Sequence, residues 1–396
     1  MNAAAVWLPE FHRHMMGAHA RSLTMLLSLG LALPACDDKK ELPAHKGKSH
    51  STQDAAASAS AEPATDPKPV AGLSVAALLE RARPLLPVLP SVADNPANPI
   101  TDAKVELGRM LYFDKRLSKS QQISCNTCHD LAAYGIDVRE KDGARMQTSE
   151  GHGGHFGGRN SPTVYNAGFH LAQFWDGRAL DLEDQTTKAI NDEPAMLATL
   201  KSIPGYAEPF TAAFPGGGDP ITPANVSQAI AAFERKLVTP APIDKFLAGD
   251  VTALDEEQLR GLTLFLDVGC TTCHTGPAIG GMQFQKLGSV KPWPDLTDEG
   301  RAAHTKSPLD RFVFKVPSLR NVAKTGPWLH DGSINDLSVM VQKMAEHQSA
   351  RGKLTGVETA ALVAFLGSLT GTLPVALISE PTLPPSGPQT PQPQQG

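Results

Sequence analysis

The sequence has few features that would direct the chain toward nucleic acid or toward a β-rich fold. Its 396 residues carry a formal net charge of −5, and no block of Lys or Arg offers concentrated positive charge to a nucleic acid. Alternating β-branched residues are scarce, whereas Ala, Leu and Gln recur between loops rich in Gly and Pro. Hydrophobic residues make up 41% of the chain, which suffices for packed cores, and the length suits two ordinary domains.

Cysteine is also rare, and its distribution leaves nothing for a disulfide framework. Four of the five cysteines belong to two Cys-x-x-Cys-His pentads, residues 125–129 and 270–274, and the fifth is Cys36. Because the pentads use their cysteines in pairs, no second cysteine remains to bond Cys36.

The apolar run from Leu23 to Leu33 is too short to span a bilayer and is typical of an export signal. The three residues before Cys36 resemble a bacterial lipoprotein box. We therefore predict a signal over residues 1–36, acyl chains on Cys36, and a periplasmic protein anchored at a membrane surface. Ordinary cleavage nearby, giving a soluble exported protein, is the alternative.

Composition divides the rest of the chain into four segments. Residues 37–72 are rich in Ala, Ser, Lys, Asp and Pro without an apolar period, which predicts a flexible tether. The tail, residues 375–396, is dominated by Pro and is expected to lie extended without building a core. A Pro-Ala-Pro segment at 240–242 separates an N-terminal domain, 73–242, from a C-terminal domain, 243–374.

Helix start signals dominate both domains. Four residues are predicted N-caps before apolar helical periods, namely Thr101, Thr222, Asp255 and Thr355. Gly371 is expected to end the last of these helices. Each pentad is preceded by one helix, so the two domains repeat one coarse arrangement.

Each pentad has the residues that attach a haem c. Two thiols can bond the porphyrin vinyl groups, which places the adjacent His129 or His274 to ligate the iron. The predicted attachment residues are Cys125, Cys128, Cys270 and Cys273. We therefore predict an all-α fold of two cytochrome c-like helical domains, each built around one covalently bound haem c.

Zinc and redox chemistry are the alternative uses of these cysteines. A single zinc ion could share all four thiols, or the pairs could act as two redox-active dithiols. Neither use requires a His beside each pair, and no thioredoxin-like βαβ pattern surrounds them. Two copies of the full pentad favour haem.

The sixth iron position decides between peroxide chemistry and electron transfer, because peroxide needs an open or displaceable site. The first domain offers three histidines, His152, His155 and His170. The glycine-rich segment 151–158 indicates a mobile loop whose ligand could leave. The second domain offers three methionines, Met282, Met340 and Met344, among which spacing does not choose.

In its longer motifs the sequence resembles the bacterial di-haem cytochrome c peroxidase family, over roughly residues 100–372. Beside the two pentads, the motifs that carry the resemblance are Leu107-Gly108, Phe113-Asp114, Gly151-His152, the runs from Arg159 to Asn166 and from Gln173 to Arg178, and the runs from Val316 to Asn321 and from His330 to Ser333.

The resemblance implies different roles for the two haems. His129 and the detachable loop ligand His152 would hold the iron that reacts with peroxide. His274 and Met344 would hold an electron-accepting haem, and Trp175 matches a tryptophan on the electron path between them. The resemblance also implies a calcium ion between the domains, and oxygen ligands suit that ion. Its ligands would be the Asn160 side chain and the carbonyls of Thr325 and Pro327.

One segment departs from the family pattern. The family usually has Asn-Pro-Val-Glu-Met, whose Glu handles the protons of bound peroxide, where residues 191–196 here read Asn-Asp-Glu-Pro-Ala-Met. An ungapped alignment puts Ala195 at the catalytic position, whereas a small shift brings in Glu193. Glu193 is the predicted acid–base residue and Asp192 the second candidate, with a solvated loop carboxylate as the alternative.

These assignments predict an enzyme that reduces hydrogen peroxide to water with electrons from a small exported cytochrome c or cupredoxin. A homodimer is compatible with the resemblance. Two alternatives stay open. A protein-modifying di-haem oxidase, similar to the methylamine dehydrogenase maturation enzyme, would have Tyr in place of Met344. A di-haem electron carrier would keep both irons six-coordinate.

Overall fold

The computed structural model describes residues 74–190 and 193–394. The predicted signal and tether, the lipidation site Cys36 and the second acid–base candidate Asp192 lie outside the described residues. Within those two ranges, no helix is long and apolar enough to cross a membrane.

Helices make up most of the regular structure. In the described residues they are α1 (Val75–Ala82), α2 (Asp102–Phe113), α3 (Cys125–Cys128), α4 (Leu182–Ala189), α5 (Glu193–Ser202), α6 (Ala207–Ala213), α7 (Pro223–Glu234), α8 (Pro242–Ala248), α9 (Glu256–Asp267), α10 (Ala302–Thr305), α11 (Leu337–Gln348), α12 (Gly356–Gly367) and α13 (Val375–Ile378). The prediction of a helix-rich chain is confirmed.

Two short antiparallel strand pairs accompany the helices. They are β1 (Glu140–Lys141) with β2 (Ala144–Arg145), and β3 (Phe284–Lys286) with β4 (Val313–Lys315). The second pair holds Lys315 opposite Phe284 in register. The all-α prediction did not include these strands. Strand pairs this short leave little alternation of apolar and polar residues in the sequence.

All four predicted N-caps begin helices. The hydroxyls of Thr101 and Thr222 each accept a hydrogen bond from the backbone N–H of the third residue of the helix that follows. Asp255 and Thr355 form reciprocal capping boxes with the third residue of α9 and α12. Each cap satisfies backbone N–H groups that the first helical turn leaves unpaired.

The end of α12 differs from the prediction. The helix ends at Gly367, before Gly371. Gly371 instead lies where two segments come close, since a Cβ there would be 2.2 Å from the carbonyl oxygen of Thr239. Its N–H donates to Asn321 Oδ1 at 2.9 Å. A close backbone approach, and not helix termination, accounts for this glycine.

Two hydrophobic cores lie on either side of the predicted domain boundary. The first core contains buried residues from Leu107 to Leu237, and the second contains residues from Ala241 to Leu369. The apolar face of α1 packs in the second core, although α1 precedes the first core in sequence. The predicted N-terminal domain begins at residue 73 and would include α1. The structure instead packs α1 with the C-terminal half of the chain.

The Pro-rich tail also packs against the core of the other half of the chain. Leu377, Ile378 and Leu383 of the tail, with Leu373 just before it, pack against the first core as partly buried residues. The tail therefore adds apolar contacts to the outside of a core, through aliphatic side chains spaced between its prolines.

Each core contains the same close helix crossing. In the first, Gly108 of α2 faces α7, and a Cβ there would lie 2.0 Å from the carbonyl oxygen of Ala229. In the second, Gly261 of α9 faces α12, with the corresponding distance to Ala361 only 1.9 Å. Since α2 and α9 each precede a pentad, the two cores present their pentads from equivalent scaffolds.

Candidate functional site

Both pentads adopt one helical turn. Cys125–Cys128 is α3, and Cys270–Thr272 is a 3-10 helix. The backbone N–H groups of His129 and His274 donate to the carbonyls of the first cysteine of their pentads, at 3.0 and 2.9 Å. Because residues three apart lie on one face of a helical turn, the two thiols of each pentad face the same side.

The environment of the thiols disfavours both alternative uses. Burial raises the pKa of Cys125 and of Cys270 to about 12, whereas a reactive dithiol needs a lowered thiol pKa. Cys125 packs on the first core and Cys270 on the second. Accordingly, the described residues contain no group of three or more His, Cys, Asp or Glu that could hold a metal ion, and a shared zinc site is not formed.

The pentad histidines are half-buried, with buried Nδ1 atoms, and neutral. Burial lowers the pKa of His129, and it lowers that of His274 to about 4. The Nδ1 atom of each lies near backbone groups but forms no hydrogen bond of good geometry. The neutral imidazole is the form that ligates a metal, so both side chains are suited to an iron.

A cavity of about 900 Å³ opens beside the first pentad. Thr127 of the pentad and Ile123, two residues before it, line one side, and His152 of the glycine-rich loop and the preceding Glu150 line another. His152 begins the 3-10 helix His152–Gly154, and its Nδ1 atom is buried without a hydrogen-bond partner. The loop thus presents an imidazole to the cavity that the pentad borders.

The three candidate histidines of the first domain have separate locations. His152 lines the cavity, whereas His155 is exposed and His170 is not among the lining residues. The Nδ1 atom of His170 lies 3.0 Å from the Nζ atom of Lys315. Of the three, His152 is the one that the structure brings to the first pentad.

Arg139 is a cavity residue that sequence reasoning missed. Its guanidinium pairs with Asp137, donates to the carbonyl of Glu150 at 2.9 Å and lies 3.4 Å from Cys128 Sγ. Burial would raise the pKa of Asp137, but hydrogen bonds from Arg139 outweigh burial and lower it. Arg139 therefore connects the His152 loop with the pentad. No local sequence pattern predicts these contacts.

The Trp175 cluster is an apolar group whose buried residues, Leu287, Phe314, Leu329 and Ile334, all come from the second half of the chain. Trp175, Met340 and Met344 pack against it. The indole N–H donates to a backbone carbonyl of the first half of the chain, that of Asn160, at 2.8 Å. The carbonyl of Trp175 accepts from the second half, from the N–H of Lys315, at 2.7 Å.

The three candidate methionines lie in two different places. Met340 and Met344 lie four residues apart on α11 and both belong to the Trp175 cluster. Met282 is 46% exposed and lies outside that cluster. The two methionines of α11 therefore share the Trp175 cluster, and Met344 as the ligand stays a prediction from the resemblance.

Two of the predicted calcium residues are in contact. Asn160 Nδ2 donates to the carbonyl of Pro327 at 2.7 Å, and Thr325 precedes Pro327 by two residues. In this orientation the amide nitrogen, and not the oxygen, faces Pro327. A cation would need the amide turned, since cations are bound through oxygen atoms.

Comparison with known proteins identifies the family. The chain is 42% identical over 331 residues to the cytochrome c551 peroxidase of Pseudomonas aeruginosa, covering 80% of this chain and 92% of that protein. The chain belongs to the di-haem cytochrome c peroxidase family. The sequence model of that family, described as "Di-haem cytochrome c peroxidase", matches residues 102–252.

Other relatives of this di-haem peroxidase carry different names. The methylamine utilization protein MauG of Methylophilus methylotrophus is 35% identical over 297 residues, covering 69% of this chain and 84% of that protein. Among solved structures, a MauG-like protein associated with microbial copper homeostasis superposes with a TM-score of 0.63 at 28% identity. That match covers 75% of this chain and 97% of that one.

Membership of the family implies two haem c groups, and the residues fit them. Each pentad supplies paired thiols on one face of a turn, followed by a half-buried neutral imidazole, the form that ligates a metal.

The family's acid–base position falls on α5 in this peroxidase. Glu193 begins that helix and is half-buried, and Ala195 lies in its first turn. Neither residue lines the cavity, whereas the carboxylate-bearing residue Glu150 does. The catalytic role of Glu193 stays a prediction.

Proposed function

We propose that this di-haem peroxidase reduces hydrogen peroxide to water with two protons and two electrons, the electrons coming from a small exported cytochrome c or cupredoxin. The cavity beside the first pentad, with His152 in its wall, carries the proposal. A bound haem c would supply the redox-active iron at each pentad. A pure electron carrier has no need of a cavity at one of its irons, which favours the enzyme.

His129 and His152 would together hold the iron of the first haem, with His152 as the detachable ligand. Gly153 and Gly154 have φ values of 68° and 74°, in the left-handed region that glycine adopts readily. Because glycine also tolerates other backbone conformations, the imidazole can be carried away from the iron by rotations at these two residues. Its departure would open the cavity to peroxide.

We propose that the second pentad receives electrons, that His274 and Met344 would hold its haem, and that Trp175 lies on the electron path. The support is that Trp175 and Met344 pack against the same apolar cluster and that Trp175 hydrogen-bonds with both halves of the chain. A methionine ligand favours a high reduction potential. The two halves, divided near residue 242, are proposed to be cytochrome c-like domains.

Because the chain is also similar to MauG proteins, a protein-modifying oxidase is the second candidate function. The presence of Met344, where that branch has Tyr, and the cavity-facing His152 favour the peroxidase. We also propose a calcium ion held by Asn160, Thr325 and Pro327, and a periplasmic protein anchored through Cys36 and compatible with a homodimer.

Peroxide turnover by the holoenzyme, pre-reduced with calcium present and supplied with reduced cytochrome c, tests the function. We expect turnover by the wild type and a loss of about 10²- to 10⁴-fold in kcat for Glu193→Gln, the usual range for removal of a general acid–base group. Glu150→Gln is the rival variant. A loss in that variant alone would assign proton transfer to the cavity carboxylate.

The spectrum of the first haem tests the ligand switch. His152→Ala should change this spectrum before any reduction, whereas His155→Ala, in the exposed neighbour on the same loop, should leave it unchanged. An unaltered spectrum in His152→Ala contradicts the detachable ligand. No peroxide turnover by the pre-reduced wild type contradicts the enzyme.

A further inference from the structure

Lys315 is a buried cation without a carboxylate partner. The residue is 6% exposed, and its Nζ atom lies 3.0 Å from His170 Nδ1. The two buried arginines, Arg235 and Arg320, each bind a carboxylate through two hydrogen bonds. In the described part of the chain no carboxylate forms such a pair with Lys315.

The partner of Lys315 is a neutral imidazole. An ammonium has three N–H donors and no acceptor, so Nδ1 of His170 must accept. Burial first, and then the charge of Lys315, hold the pKa of His170 well below its usual value. The proton of this tautomer is on Nε2, which is buried without a partner. The pair therefore presents N–H donors and one positive charge, with no anion beside it.

Burial lowers the pKa of Lys315 to about 8. The ammonium is therefore the main form at neutral pH. A buried ammonium is strongly unfavourable unless an anion binds it, because the lost hydration must be replaced.

The pair is held in place at the boundary between the two halves of the chain. The His170 ring lies against Gly281, where a Cβ would be 2.2 Å from Cδ2 of the ring. The N–H of Leu171 donates to the carbonyl of Gly281 at 2.9 Å, and the N–H of Lys315 donates to Trp175. Both side chains are thus positioned by backbone contacts from opposite halves.

Lys315 belongs to the strand pair that lies beside the second pentad. Gln283 Nε2 donates to the carbonyl of Thr272 at 2.8 Å, and Gln285 Nε2 lies 3.7 Å from Cys273 Sγ. These glutamines flank the residue of β3 that pairs with Lys315 on β4. Because Lys315 pairs with Phe284, its side chain lies on the other face of the strand pair from the two glutamines. The propionates of a haem lie at the porphyrin edge opposite the two thioether bonds, so the anionic groups of that cofactor would lie away from the Cys273 edge, as Lys315 does.

We propose that Lys315 binds a propionate carboxylate of the second haem and that His170 positions the ammonium for it. The proposal rests on the haem c at the second pentad that the proposed function also requires. Two ammonium N–H groups remain after the bond to His170, and charge-assisted hydrogen bonds to a carboxylate would satisfy them. Lys315 would thereby join the second haem to a residue of the first half, next to Trp175.

Spectroelectrochemical titration of the holoprotein tests the site. Lys315→Met should lower the midpoint potential of the second haem, because loss of a buried positive charge favours the oxidised iron. Lys315→Arg should retain the potential but shift the propionate bending band in resonance Raman spectra. Lys286→Met, which removes an exposed lysine of the paired strand β3, should change neither.

The positioning role of His170 has its own variants. His170→Gln keeps a hydrogen-bond acceptor and should retain the potential, whereas His170→Leu should shift it in the direction of Lys315→Met. If Lys315→Met does not accumulate with both haems, the Raman band of Lys315→Arg decides the question.

Other outcomes would overturn the proposal. An unchanged second-haem potential in Lys315→Met, or a shift confined to the first haem, contradicts it. A wild-type potential that varies with the concentration of added chloride or acetate would show that a diffusible anion occupies the site instead. Because none of these readouts needs peroxide turnover, an inactive wild type that shows the expected shifts would contradict the proposed function and leave this site standing.

Discussion

At the scale of single residues, two glycines set how closely the helices of each core approach. A Cβ at Gly108 or Gly261 would lie within 2.0 Å of a backbone carbonyl oxygen of the facing helix. A backbone atom cannot rotate out of the way as a side chain can, so any larger residue must push the helices apart. The helix that precedes each pentad is therefore fixed at a distance that only glycine permits.

We expect Gly261→Ala to lower the free energy of unfolding by about 3 kcal/mol, the upper part of the usual range for overpacking a core. Gly367→Ala, on the partner helix α12, is the matched control, since a Cβ there meets nothing within 4 Å. Urea denaturation of the holoprotein measures both. Equal stabilities for the two variants would show that α9 and α12 can separate without loss.

At the scale of elements, the C-terminal tail is a strap across the first core. Arg109 and Gln121 donate to the carbonyls of Ser379 and Pro391, at 3.0 and 2.7 Å. A Cβ at Gly205 would lie 2.4 Å from the Cβ of Pro384, so the tail packs closely there. Residues 392–394 reach the cavity beside the first pentad and form part of its wall.

Two truncations separate the functions of this strap. Ending the chain after Ile378 should lower Tm, because the Leu383 contact with the first core and the packing of Pro384 are lost. Ending it after Pro388 keeps those contacts and removes the cavity wall, so Tm should change much less. Calorimetry of both holoproteins measures the difference. If the chain that ends after Ile378 has the same Tm as the wild type, the strap has no structural role.

At the scale of the whole molecule, Arg159 joins the two halves of the chain. Its guanidinium donates to Asp176 of the first half and to Asp298 of the second, each at 2.7 Å. Burial alone would raise the pKa of both carboxyls, but the hydrogen bonds from Arg159 outweigh burial and lower it. The boundary between the cores is therefore held by a charge network as well as by the Trp175 cluster.

Arg159→Met should lower the free energy of unfolding by about 3 kcal/mol at pH 7, since removing one partner leaves buried charges unpaired. Because the folded pKa values of Asp176 and Asp298 are lowered, their contribution is present above their unfolded values, near 3.8, and is lost as the pH falls below them. The difference between variant and wild type should therefore shrink toward pH 3.

Urea denaturation across this pH range measures the effect. Arg178→Met is the control, because this more exposed arginine also pairs with Asp176 but does not contact Asp298. A loss in the control as large as in Arg159→Met would mean that the link between the halves is not the source of the stability.

Features encoded by contiguous residues could be predicted from the sequence alone. The N-caps at Thr101, Thr222, Asp255 and Thr355 all begin helices, and the pentads each form one turn. Lys315 could have been noticed as a charged residue within an apolar run, although its partner could not. Packing of the tail on the first core could not be predicted, because composition does not show which surface an aliphatic side chain will contact.

The sequence by itself determined the two haem pentads, the helical scaffold and the family, because each depends on residue types at short, regular spacing. Only the tertiary structure decided that α1 packs in the second core and the tail on the first, and that Lys315 lies against His170. The last pair is 145 residues apart in the chain. Contacts of this kind form when whole helices and loops pack together, and no local pattern records which distant surface a side chain will meet.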